Sequence, residues 1–286
     1  MIEAASRPAS TATPAPHPVL RTFLAKPYPA VMGVLNVTPD SFSDGGKFLT
    51  AEHALAQARR LVAEGADIID VGAESTRPYH GARPVSAEEE LARLRGVLSA
   101  IVSLGVPVSI DSMKSSVAVF ALDAGAVIVN DVWGLQGDSG MATLVASRNV
   151  PVIVMHNRDS ADPTIDIMSD ISAFFARSLD IATKAGIARG NIVLDPGIGF
   201  GKTAEQSMTA LARLDELKSF GLPLLVGASR KRFIASVNPS EPQQRLGGSI
   251  AAHLIAARRG ARIIRAHDVA ETVQALQLAA AIEDKA

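Results

Sequence analysis

Cysteine is absent from this sequence. That excludes a disulfide framework, a thiolate metal site and a thiol nucleophile, and it fits a reducing compartment. Charge of one sign is also lacking. The formal net charge is −1, so there is no electrostatic footprint for nucleic acid and no polybasic patch for a membrane. No apolar run reaches the ~20 residues of a membrane span, and the N-terminal stretch has no apolar core like that of a secretory signal. The expected setting is therefore the cytoplasm. No HExxH or comparable spacing occurs, so a zinc site is not expected. What is present is ample core-forming material: 48% of the 286 residues are hydrophobic and 20% are charged. Such a chain folds rather than staying disordered.

Residues 1–26 differ in composition from the rest. Ser6 to Pro18 is built, apart from Arg7 and His17, from Ala, Pro, Ser and Thr and reads as a flexible tail. From residue 27 to 286 the pattern is that of one domain. Short apolar, β-branched runs recur: VMGVLN, DIIDVG, VPVSID, AVIVND, VPVIVMH, NIVLD, LPLLVGAS and ARIIRAHD. Continuous rather than alternating runs suit parallel strands buried on both faces. Amphipathic stretches lie between them, at 51–64, 87–104, 165–185, 204–220, 244–259 and 269–282. Several end in Gly (Gly65, Gly105, Gly125, Gly186, Gly221 and Gly260), as helices do before turning into a strand. The expectation is an α/β fold, a single (β/α)8 TIM barrel with a disordered Pro/Ala/Ser-rich tail. An open doubly wound sheet is the rival. Asn36, Asp111, Asn130, Asp195 and His267 favour the barrel, because all sit at or just past strand C-termini, where a barrel makes side chains converge.

Two loops after strands are long. MGVLNVTPDSFSDGG runs from Met32 to Gly46, leaving about ten residues before the next helix against a usual 2–6. DVGAESTRPYHGARPVS runs from Asp70 to Ser86 and carries Thr76, Arg77 and Arg83. Its end, Ser86 with Glu89, has the spacing of a capping box. DPGIGFGKT, from Asp195 to Thr203, looks like a phosphate loop but fails its spacing, since Pro196 stands where the first glycine is required. Several carboxylates and amides at strand ends suit a ligand rich in N–H donors, such as an aminopyrimidine ring. Ser229, Arg230 and Lys231 follow the seventh strand and Arg265 and His267 flank the eighth, the usual phosphate side of such barrels.

Taken in order, GVLNVTPDSFSDGG, the STRP segment, LDPGIGFGK, SRK and RAHDV make the chain resemble the dihydropteroate synthase family, from Val31 to the last helix. The resemblance implies a pterin-binding TIM barrel. It also implies a transferase that condenses a dihydropterin-methyl diphosphate with 4-aminobenzoate, uses Mg2+ and acts as a homodimer. Position by position it implies that Asp111, Asn130, Asp195 and Lys231 hold the pterin. Arg265 and His267 would hold the diphosphate, and Asn36 the metal. Thr76 and Arg77 would close over the site. Phe200, Ser229 and Lys231 would wall the aminobenzoate pocket. The catalytic set so implied is Arg77, Asp111, Asp195, Lys231, Arg265 and His267. Tyr79, His80 and Gly81 lengthen the second loop relative to the family pattern. GFGK, from Gly199 to Lys202, lacks the insertion found in sulfonamide-insensitive relatives, so a drug-sensitive enzyme is expected. A corrinoid-dependent folate methyltransferase and a non-catalytic pterin-binding homologue are the alternative readings.

Overall fold

The computed structural model describes residues 15–37, 47–74 and 85–285. Eight parallel strands close on themselves in chain order. They are β1 (Ala30–Asn36), β2 (Ile68–Gly72), β3 (Val108–Asp111), β4 (Ile128–Asp131), β5 (Val152–Met155), β6 (Ile192–Asp195), β7 (Leu224–Val226) and β8 (Ala261–Ala266). The pairing of β1 with β8, with Ala30 opposite Ile263 and Met32 opposite Arg265, removes the open-sheet alternative. Strands buried on both faces need apolar residues at every position. That is why their sequences are continuous runs and their burial is nearly unbroken.

Two apolar layers result. The larger one packs the outward strand residues, such as Val31, Ile69, Val129 and Val154, against the surrounding helices. The smaller one fills the barrel, with Met32, Ile68, Ile128, Ile153, Val193, Leu225 and Ile263. Because side chains alternate along a strand, the inward residue next after this layer on β2, β4, β6 and β8 is Asp70, Asn130, Asp195 or Arg265. The polar floor of the mouth is thus set by register two residues above an apolar plug.

The helices differ from the sequence reading in instructive ways. The expected helix over 87–104 is two, α3 (Ala87–Arg95) and α4 (Leu98–Val102), broken at Gly96. The stretch 204–220 is α8 (Ala204–Ala212) followed by a tighter 3-10 turn, Leu214–Phe220. Helices α5 (Ser115–Asp123) and α6 (Ser139–Arg148) are not among the amphipathic stretches expected, although Gly125, expected as a helix end, closes α5. Both are short and apolar on most faces, so neither displays the polar stripe that a periodicity reading needs. The glycines named as helix ends all have positive φ.

The N-terminal boundary also moves. Residues Pro18–Leu24 form a helix, α1, with Pro18 in its first turn and His17 accepting from Val19 N. Leu20 and Phe23 are 1% and 5% exposed and join the layer inside the barrel. Arg262 on β8 donates to the carbonyls of Leu24 and Lys26 at 2.8 and 2.7 Å. The Pro/Ala/Ser composition around residue 10 does not extend to this segment, whose apolar residues seal the barrel floor. The tail expected through residue 26 therefore gives way to barrel structure by residue 18; residues 1–14 lie outside the described residues.

Candidate active site

A cluster of charged side chains occupies the C-terminal mouth. Arg265, from β8, donates from Nε to Asp70 Oδ2 at 2.6 Å and from Nη2 to Asp111 Oδ2 at 2.7 Å. Neither β2 nor β3 is a neighbour of β8 in the sheet, so these bonds cross the barrel interior. Asn130 Nδ2 donates to the same Asp70 oxygen at 3.0 Å. Asp195 Oδ1 accepts from Gly197 N at 2.8 Å, which turns the chain sharply out of β6. All of these carboxylates are buried.

Burial governs their acidity. It pushes the Asp111 carboxyl up to about 7, against the pull of the Arg265 guanidinium, while Asp70 and Glu90 add to the rise. Burial likewise lifts Asp195 to about 6, opposed by the Gly197 N–H and by Lys231 and Arg265. Burial disfavours the charge on Arg265, but Asp70 and Asp111 outweigh it and raise its pKa. Two oxygens in this cluster, Asp70 Oδ1 and Asp111 Oδ1, are buried and accept no hydrogen bond. An unpaired buried carboxylate oxygen costs on the order of 1–3 kcal/mol. Supplying N–H donors to these oxygens would recover that cost.

Other expected residues gather around the cluster. Lys231 Nζ lies 3.9 Å from the centre of the Phe200 ring, a cation–π contact. The φ of Gly199 is +80°, and a Cβ there would press on Lys231 Cδ at 3.3 Å, so this glycine leaves room for the lysine stem. Ser229 Oγ meets His267 Nδ1 at 3.0 Å and the His267 N–H at 3.2 Å. Ser229 thereby holds the histidine that follows β8. Arg230 turns aside to Asp268. The Asn36 side chain stands at the end of β1. A Cβ on Gly72 would lie 3.8 Å from Asn36 Oδ1 and 3.5 Å from Asp111 Oδ2, so the amide oxygen borders the acidic cluster. Thr76, Arg77, Arg83 and the Tyr79–Gly81 extension lie outside the described residues, as does the first loop over 38–46. The described ends of the second loop meet where Val85 N donates to Glu74 at 3.1 Å, and Lys114 Nζ holds the same Glu74 at 2.6 Å. The expected capping box of Ser86 and Glu89 is present.

Sequence reasoning missed Asp70, the residue on which Arg265 and Asn130 converge. Its signal was its place, two residues before the end of a strand and inside the conspicuous DVG segment. It also missed Lys202 and His156, joined at 2.6 Å. His156 directly follows β5, one residue past Met155, which pairs with Asp195. A separate cavity of about 420 Å³ opens beside Trp133, Arg158, Phe174 and Arg177. It shares no lining residue with the charged cluster. We place the site at the cluster because the unpaired oxygens are there.

The profile of the pterin binding enzyme family matches residues 32–267. The dihydropteroate synthase of Bacillus subtilis is 43% identical over 89% of this chain and 89% of its own. The chain belongs to the dihydropteroate synthase family. Among solved structures, the dihydropteroate synthase of Clostridium difficile with pteroic acid superposes with a TM-score of 0.86 at 46% identity, covering 89% of this chain and 97% of that one. The Yersinia pestis synthase in complex with a sulfonamide drug gives 0.83 at 42% identity, over 91% and 95%. The family's fold and transferase class agree with a closed barrel whose mouth gathers buried carboxylates and cations. Among the described residues, no helix is long and apolar enough to cross a membrane.

Proposed function

We propose that this chain joins (7,8-dihydropterin-6-yl)methyl diphosphate to 4-aminobenzoate, forming 7,8-dihydropteroate and releasing diphosphate. The observation that carries this reading is the pair of unpaired buried oxygens on Asp70 and Asp111 beside the Arg265 guanidinium. An aminopyrimidine ring offers adjacent N–H donors of the kind such carboxylates lack. Asp111, Asn130, Asp195 and Lys231 bind the pterin in this reading. Arg265 uses Nε and Nη2 on the two carboxylates. A guanidinium has five N–H donors, so the others remain for the leaving group, with His267 beside it and Arg77 from the second loop. Thr76 acts with Arg77, and Phe200 with Lys231 flanks the arylamine.

The carbon–oxygen bond to diphosphate breaks with its electron pair leaving on the diphosphate. The methylene cation so formed is delocalised into the dihydropterin. Buried carboxylates on the ring side favour that positive charge, and fixed cations favour the departing anion. The arylamine lone pair then forms the carbon–nitrogen bond, and the nitrogen gives up a proton to solvent or diphosphate. The amine is neutral at pH 7, so no strong base is needed to expose its lone pair.

Magnesium fits the reading without a protein cage. The described residues contain no cluster of three or more His, Cys, Asp or Glu able to hold a metal. Mg2+ is often held by one or two protein oxygens plus phosphates and water. The Asn36 amide oxygen would be such a ligand, and the ion would neutralise diphosphate charge. A homodimer in the cytoplasm is the setting we infer, from the family and from the cysteine-free sequence.

The deciding experiment is diphosphate release from the pterin substrate with and without 4-aminobenzoate. Release that depends on the arylamine and yields dihydropteroate supports the assignment. Tight pterin binding without release would make the chain a non-catalytic homologue.

A further inference from the structure

A buried lysine behind Phe200 has no part in the reaction described above. Lys202 is 9% exposed. An ammonium has three N–H donors and no acceptor, and all three find partners: His156 Nδ1 at 2.6 Å, Gly197 O at 2.9 Å and Phe200 O at 3.1 Å. Burial brings the Lys202 pKa down to about 7, but the Asp170 carboxylate facing Nε2 can only accept, so the His156 proton sits on Nε2 and Nδ1 accepts from the lysine. Nε2 meets Asp170 Oδ2 at 2.9 Å, and Arg158 Nη1 meets the same oxygen at 2.9 Å. His156 is fully buried, with its ring edge against Phe174 at 5.0 Å between centroids. Burial, with Lys202 next, holds its pKa down at about 3, so it stays neutral and able to accept.

The segment that Lys202 grips is rich in glycine. Gly197, Gly199 and Gly201 all have positive φ. A Cβ on Gly197 would strike the His156 carbonyl, and one on Gly201 would strike Arg158. The loop therefore lies flush on the segment after β5, pinned by Ile198, which is 1% exposed in the core, and by the Phe200 N–H on Gly197 O at 3.0 Å. Lys202 spans it, tying the carbonyl at its start to the carbonyl of the residue that bears the aromatic ring.

We propose that Lys202, backed by His156 and Asp170, is the positioning residue that sets the aromatic wall at Phe200 and so determines affinity for the arylamine. This rests on the reading of Phe200 as that wall. Losing the tie leaves the Phe200 backbone only its N–H bond to Gly197 O and loosens the ring on which the Lys231 ammonium rests. Binding of the pterin, which keeps the strand residues Asp111, Asn130 and Asp195, is affected much less.

The test is kinetic, on the full-length protein. Lys202→Met should raise KM for 4-aminobenzoate roughly ten-fold and leave kcat within about three-fold, with pterin affinity by calorimetry falling by no more than about three-fold. Asp170→Asn, at a partly exposed position, should do the same more weakly, and it decides the matter if Lys202→Met does not fold. Phe200→Ala should raise the same KM. In a Phe200→Ala background, Lys202→Met should add little, because the ring it positions is gone. A merely structural lysine would instead lower stability and both substrate affinities in either background. No change in KM in Lys202→Met, or in Asp170→Asn where that variant decides, beside a raised KM in Phe200→Ala overturns the positioning role alone. No change in Phe200→Ala overturns the reading of the wall and the proposal together.

Discussion

Asp195 shows how a single carboxylate can be legible in sequence and yet acquire its chemistry only from the fold. The LDPG motif marks a strand end, and the structure adds burial and one N–H bond from Gly197. Asp195→Ala should cost ~1.5–3 kcal/mol in pterin affinity, and Asn130→Ala less, since it removes only neutral hydrogen bonds. Calorimetry on folded variants checks this, and unchanged affinity in Asp195→Ala would remove it from ring recognition. The acidity makes a second prediction. Asp195 is raised to about 6 in the fold, whereas an unfolded aspartate titrates near ~4. The folded protein thus holds a proton that the unfolded chain has lost between those values. Its contribution to stability is full below ~4 and is lost as pH rises through about 6. A ligand that donates to the charged carboxylate offsets that loss. The rise in Tm given by a pterin should therefore be larger at pH 7.5 than at pH 5, and the reverse trend in paired thermal melts would count against it.

At the scale of elements, local signals were readable where one pattern dominated and unreadable where packing decided. Strand runs, glycine ends and the Ser86 capping box follow from backbone chemistry within a few residues. Helices α5 and α6 lack a polar stripe, so periodicity does not reveal them and only Gly125 marked the end of α5. Asp70 was hidden for another reason: its importance lies in partners 60 and 195 residues away, a distance no motif spans. Helix α1 was hidden by its neighbours in sequence, whose Ala, Pro and Ser residues outweigh Leu20 and Phe23 in any composition window. Its burial gives a clear expectation. Phe23→Ala should destabilise the protein by about 3–4 kcal/mol without altering substrate affinity, because the barrel floor is far from the mouth. Gly197→Ala should act at the opposite end. A Cβ at its φ of +64° would meet the His156 carbonyl, and strain of on the order of 2 kcal/mol would fall on the loop that carries Phe200. Denaturant melts together with KM for the arylamine separate the two: loss of stability alone for Phe23→Ala, loss of both for Gly197→Ala.

For the whole molecule, a net charge of −1 conceals an uneven arrangement. Arg265, Lys231 and Lys202 are placed at or just behind one mouth, next to carboxylates whose charge burial suppresses. The mouth therefore accepts an anionic leaving group on one side and a neutral, donor-rich ring on the other. The arylamine must enter last in space, against Phe200 and Lys231. A sulfonamide presents a similar ring and a polar group in place of the carboxylate, and the Yersinia pestis relative has been solved with such a drug. In this chain GFGK runs from Gly199 to Lys202 with no added residue. Lys202 closes the turn onto Gly197 and Phe200, and an inserted residue would break that spacing. Sulfonamide inhibition should thus be competitive with 4-aminobenzoate, with an inhibition constant comparable to its KM. It should also weaken in step with that KM in Phe200→Ala, since drug and substrate share one wall. Steady-state inhibition at varied 4-aminobenzoate measures both. Insensitivity in an enzyme that turns over normally would mean that the second loop, with Tyr79 and its longer span, has reshaped the pocket despite the intact GFGK turn.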